Sequence, residues 1–97
     1  MIVRLVRMTF RPEEVEAFKK TFEEMAPKII QFQGCSGVEL LQDANKPEVM
    51  FTKSHWESEK HLNDYRYSEL FQATWKKTKA CFAADPEAWS TERIGGL

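Results

Sequence analysis

Three features of the sequence predict an α+β fold of the ferredoxin-like kind, ordered β-α-β-β-α-α-β around a four-stranded antiparallel sheet. An extended apolar segment is followed by a long amphipathic helix. Two further extended segments then flank a turn-rich link, and two short helical stretches lead to a last extended one. The 97 residues suit one such domain spanning 1–97, and a chain of this length buries roughly two-thirds of the surface its unfolded form exposes.

In the first segment, Ile2, Val6, Met8 and Phe10 share one parity while Val3 and Leu5 hold the other, so a strand here has apolar residues on both faces. Pro12, Glu13 and Glu14 suit the first turn of a helix, where proline loses no bond and acids meet the positive end of the dipole. Val15, Phe18, Phe22, Met25 and Ile29 then recur three and four residues apart and define one buried stripe. Pro27 lies inside this pattern as a point of kinking, and Gln33 to Gly37 reads as a stop and turn. A second strand is predicted over Val38 to Gln42 and a third over Glu48 to Trp56, joined through Asp43 to Pro47 as a hairpin. Ser58 is placed to cap a short helix through Tyr65, and Ser68 to cap the next. That last helix turns Phe71, Trp75, Thr78 and Phe82 inward, with Leu70, Thr74 and Cys81 beside them, until Asp85 and Pro86 end it. A final strand runs from Ala88 to Ile94, and Gly95 to Leu97 reads as a frayed tail.

Helices in this topology cover one sheet face, yet Val3, Leu5, Val49 and Phe51 oppose Val6, Met8 and Met50. The uncovered apolar face therefore calls for a partner, and a homodimer through the sheet face is the simplest one.

Composition narrows the function classes. With 14 basic and 15 acidic residues the formal charge is −1, which offers no electrostatic footprint for nucleic acid or an anionic membrane. No stretch has the length of a membrane span or the pattern of a secretion signal. Cys35 and Cys81 stand apart, outside any CxxC arrangement, and read as free thiols of a cytoplasmic protein. Neither they nor His55 and His61 show metal-ligand spacing, and no glycine-rich phosphate loop or dinucleotide fingerprint is present, so no metal and no cofactor is expected. The third strand, Val49 to His55, also lacks the pattern with which RNA-recognition domains of similar topology stack bases.

What remains is a concentration of aromatic and polar groups on the third strand and the helices after it. Phe51, Trp56 and Phe71 are candidate walls of a substrate pocket. Asn63, Tyr65 and Trp75 are candidate catalytic groups because an amide, a phenol and an indole N–H can orient a flat ligand, and His61 is the candidate proton acceptor. Packing alone accounts for most of these rings, and a surface or strand-edge place suits both histidines.

The runs Phe51-Thr-Lys-Ser-His-Trp-Glu-Ser-Glu and Leu62-Asn-Asp-Tyr-Arg-Tyr-Ser-Glu-Leu-Phe resemble the central signature of the antibiotic biosynthesis monooxygenase superfamily, where a strand ends in tryptophan, Glu-Ser follows and a broken helix begins. The resemblance covers nearly the whole chain and implies a dimeric α+β barrel. It implies several chemistries: cofactor-free oxygenation of aromatic polyketides, haem degradation, or isomerisation of small signalling molecules. Many members carry histidines on the broken helix where this chain has Tyr65 and Leu70, with Ser68 retained, which excludes a histidine base there. The asparagine, tryptophan and histidine of haem-degrading relatives correspond to Val6, Tyr65 and Trp75, which disfavours haem degradation. The expected function is a cofactor-independent monooxygenase acting on a small quinol- or anthrone-like aromatic. The alternatives are a noncatalytic small-molecule-binding or dimerisation protein of the same fold, or an isomerase.

Overall fold

The computed structural model describes all of residues 1–97. Its elements are β1 (Ile2–Thr9), a turn of 3-10 helix at Pro12–Glu14, α1 (Val15–Ile29), β2 (Cys35–Gln42), β3 (Val49–Trp56), α2 (Glu59–Arg66), α3 (Glu69–Lys79) and β4 (Glu87–Glu92). The sheet is antiparallel throughout with strand order β2-β3-β1-β4, so the predicted element order and fold class hold. No helix is long and apolar enough to cross a membrane.

Both predicted serine caps form. Ser58 Oγ accepts from the His61 backbone N–H, and Ser68 Oγ accepts from that of Phe71. The break between α2 and α3 is secured from both sides, because the Ser68 hydroxyl also donates to the Tyr65 carbonyl at 2.6 Å and the Gln72 amide to that of Arg66 at 2.7 Å. In the β2–β3 link, Asp43 Oδ1 accepts from the backbone N–H groups of Asn45 and Lys46, closing the turn. Those two bonds hold the Asp43 carboxyl below its usual range.

Three boundaries differ from expectation. Strand β2 starts at Cys35 because a register shift between Cys35 and Gly37 absorbs an extra residue, turning the presumed loop into a bulged strand end. Helix α3 stops at Lys79 instead of reaching Asp85. Phe82 there bridges to Phe10, Arg11 N–H donates to Cys81 O, and Ala83 N–H donates to Thr9 O, so β1 takes the backbone that would have continued the helix. Helix α1 continues through Pro27, which is exposed two residues before the helix ends; the carbonyl it leaves free belongs to exposed Glu23 and meets water. Strand β4 covers Glu87–Glu92 rather than Ala88 to Ile94.

The helices cover the face that carries Ile2, Arg4, Val6 and Met8 of β1 and Met50, Thr52, Ser54 and Trp56 of β3. Two core clusters form under them. One gathers Met8, Phe10, Val15, Phe18 and Met50 beneath the first turns of α1; the other gathers Ile29, Trp56 and Leu62 beneath its last turns and α2. On the opposite, open face, Leu5 pairs with Trp89 and Phe51 with Leu41, and the last residues of those pairs are 44% and 45% exposed.

Candidate functional site

Between the two core clusters the helices stand away from the sheet and leave a cavity of about 210 Å³. Helical spacing decides which side chains line it. Phe18, Thr21, Phe22, Met25 and Ile29 come from one stripe of α1, Leu62, Tyr65 and Arg66 from one side of α2, and Phe71, Thr74, Trp75 and Thr78 from one side of α3. The floor is the covered parity of the sheet: Arg4, Val6 and Met8, then Thr52 and Ser54, with Val38 and Ala88 from the flanking strands. Ala88 is exposed, so the cavity reaches solvent along β4.

The aromatic wall is continuous. Tyr65 stacks on Trp56 at 5.0 Å between centroids and meets Phe71 edge-on at 5.1 Å; Phe71 stacks on Trp75 at 5.9 Å. Trp75 then meets Phe82, which meets Phe10, tying the wall to the first core cluster. Trp56 is wholly buried, and its indole N–H donates to Ser54 Oγ at 2.9 Å. No side-chain polar atom is both fully buried and unpartnered. The Tyr65 hydroxyl and Trp75 indole N–H, which have no partner within the chain, are therefore reachable by water or a ligand. Burial, and then the neighbouring Cys35, push the Tyr65 phenol up to about 12, so it is a hydrogen-bond donor at neutral pH.

The structure thus brings together three of the residues singled out in the sequence, Tyr65, Phe71 and Trp75. Trp56 supports Tyr65 from behind without lining the cavity. Phe51 lies on the open face, opposite Leu41 and Arg7, because the β1–β3 register pairs Met50 with Met8 and so turns Phe51 away from the helices. Asn63 follows Leu62 on α2 and is rotated out of the cavity. His61 serves the helix terminus instead: its Nδ1 is 2.7 Å from Ser58 Oγ, and its ring lies against Gly34, where an added Cβ would collide with it. Gly34 also has a φ of +84°, so both its backbone and its missing side chain are required.

Among the lining residues not anticipated, two are charged. Arg4 and Arg66 both line the cavity, and neither takes part in any of the chain's ion pairs. Arg4 donates to Ser90 Oγ at 3.0 Å. Burial, then repulsion from Arg66, lower the Arg4 pKa. The available signal was parity: Arg4 falls on the same side of β1 as Val6 and Met8. No group of three or more His, Cys, Asp or Glu side chains converges anywhere in the structure.

The antibiotic biosynthesis monooxygenase family model matches residues 1–77. The chain belongs to that family. Solved structures with the same fold include a conserved protein of Methanosarcina mazei Go1, 19% identical with a TM-score of 0.89 over 97% of this chain and 94% of that one. A Bordetella bronchiseptica protein described under the family name is 23% identical, with a TM-score of 0.85 over 96% of each chain. A Nitrosomonas europaea protein so described is 22% identical, with a TM-score of 0.83 over 100% of this chain and 99% of that one. At these identities the antibiotic biosynthesis monooxygenase likeness extends to fold. No curated protein sequence matches the chain.

Proposed function

We propose that this chain is a cofactor-independent oxygenase of a compact, electron-rich aromatic, working as a homodimer in the cytoplasm. The carrying observation is the aromatic-walled cavity lined by Tyr65 and Trp75, whose phenol and indole N–H have no partner within the chain. Its 210 Å³ compares with about 150 Å³ for an apolar cavity that holds benzene, which favours one or two fused rings over a larger polycycle. In the oxygenation of a ring methylene, the substrate loses a proton and its carbanion transfers electrons to dioxygen. One oxygen atom becomes the new ring carbonyl and the other leaves as water. The protein's part is to exclude bulk water and stabilise the anion through the two N–H and O–H donors. His61 is turned toward Ser58 and Gly34, so the proton leaves to solvent and the substrate must be acidic enough to release it.

The open face supports the homodimer: it presents Leu5, Leu41, Phe51 and Trp89, interleaved with the Arg7–Glu87 and Lys53–Glu39 ion pairs. The free thiols of Cys35 and Cys81 suit a reducing compartment.

Oxygen uptake by metal- and flavin-free protein supplied with a one- or two-ring quinol or a cyclic benzylic ketone tests the activity. The expected result is turnover that falls at least tenfold in Tyr65→Phe. The absence of side-chain bases from the cavity gives a second reading its support, namely binding without turnover; saturable binding of the same compounds with oxygen uptake no faster than buffer would establish it.

A further inference from the structure

The cavity holds two guanidinium groups and no carboxylate, which ordinary packing does not explain. Arg4 rises from the middle of β1, on the face the helices cover, between Val6 on its own strand and Ser54 and Ser90 on the neighbouring ones. Only one protein acceptor, Ser90 Oγ, meets the five N–H donors of its guanidinium. Arg66 reaches the same cavity from the last turn of α2, and its side chain has neither an ion pair nor a hydrogen bond. A basic residue at a helix C-terminus suits the dipole, but that preference is satisfied equally by a side chain directed to solvent. Two like charges sharing a partly desolvated cavity repel each other, and the repulsion is relieved when an anion enters between them.

We propose that the cavity recognises an aromatic carboxylate, with the ring against Tyr65, Phe71 and Trp75 and the carboxylate held between Arg4 and Arg66. The inference rests on the aromatic-ligand reading of the same cavity and adds the charge class of the ligand. A planar guanidinium matches a carboxylate with two parallel N–H···O bonds, which an ammonium cannot do. Ser90 orients Arg4 from β4, at the side where exposed Ala88 marks the way in. The carboxylate is thereby met near the entrance and the ring is left to the apolar interior. In the oxygenase reading this anchor also fixes which ring carbon faces the Tyr65 hydroxyl.

Calorimetric titration of the full chain with 2-naphthoate, and separately with the isosteric neutral 2-naphthamide, tests the proposal. The expected result is binding of the acid about tenfold or more tighter than the amide, weakening with added salt. Arg4→Gln and Arg66→Gln should each bring the acid down to the amide's affinity, while Arg4→Lys retains part of the preference and Lys20→Gln on the exposed side of α1 leaves it unchanged. Circular dichroism and thermal melting establish that each variant is folded. Equal affinity for acid and amide overturns the carboxylate clamp alone and leaves the aromatic cavity standing. Tight acid binding that is indifferent to both arginine substitutions does the same. Failure of both compounds to bind overturns the clamp and the aromatic-ligand reading together.

Discussion

The two faces of the sheet are built from the same strands, and each mixes polar with apolar groups where cover alone would separate them. Beneath the helices, Arg4, Thr52, Ser54 and Ser90 stand among Val6, Val38 and Leu40 in the middle of the floor, with Met8, Met50 and Trp56 at its ends. On the open face, Leu41 and Phe51 share one rung of the sheet with the Arg7–Glu87 pair, and Leu5 and Trp89 share the next with the Lys53–Glu39 pair. A covered face that only packed would favour apolar groups at its centre, and an open face that only met water would favour polar ones there. That mixing is what the proposed function requires of them: a covered face able to surround a ligand and an open one able to meet another protein surface.

The largest effect is expected where the covered face is solid. Trp56 is wholly buried, backs Tyr65 and anchors the second core cluster, so Trp56→Ala should cost about 3–5 kcal/mol in urea unfolding. A loss below about 1 kcal/mol would mean that Tyr65 and the cavity wall stand without it. On the open face, Leu5→Lys sets an ammonium between Trp89 and Lys53. In a sheet-to-sheet dimer that charge is buried twice by symmetry and should weaken association by about 3 kcal/mol or more, read as a monomer by light scattering with far-ultraviolet circular dichroism unchanged. A variant that stays dimeric would move the interface elsewhere.

How much of this was legible in the sequence follows from how local each determinant is. Helical features were readable: the Ser58 and Ser68 caps, the α1 stripe, and the inward Tyr65, Phe71 and Trp75 all follow from spacing along one element. Strand facing followed from parity, which set Val49 and Phe51 opposite Met50 and grouped Met50 with Met8, as their pairing bears out. Phe51 was nonetheless expected as a pocket wall, its ring chemistry being weighed above its parity. Arg4 was overlooked for the related reason that a charge on a strand is ordinarily read as outward. The end of α3 depended on a bridge between Phe10 and Phe82, a contact no local pattern contains. Asn63 and His61 were chosen for chemistry alone, and the helical angle that carries them out of the cavity was available from Leu62 and Tyr65.

The smallest expected effect separates the cavity wall from the packed core beside it. Tyr65 presents a phenol whose pKa rises from 10.0 to about 12, mainly through burial. Because the folded state holds that proton more tightly than the unfolded chain, the associated stability is complete below pH 10 and is lost as the pH climbs from 10 through about 12. A shift of that size corresponds to about 2–3 kcal/mol across the window. Tyr65→Phe keeps the stacking against Trp56 and the edge contact with Phe71, and the hydroxyl it removes has no partner within the chain. Unfolding at pH 7 should then change by less than about 1 kcal/mol, whereas the decline between pH 10 and 12 should flatten relative to the wild type. Urea midpoints across that range decide it. Parallel declines in the two proteins would mean that the phenol ionises as freely in the fold as outside it, and that the wall at Tyr65 is wetter than the cavity floor beneath it.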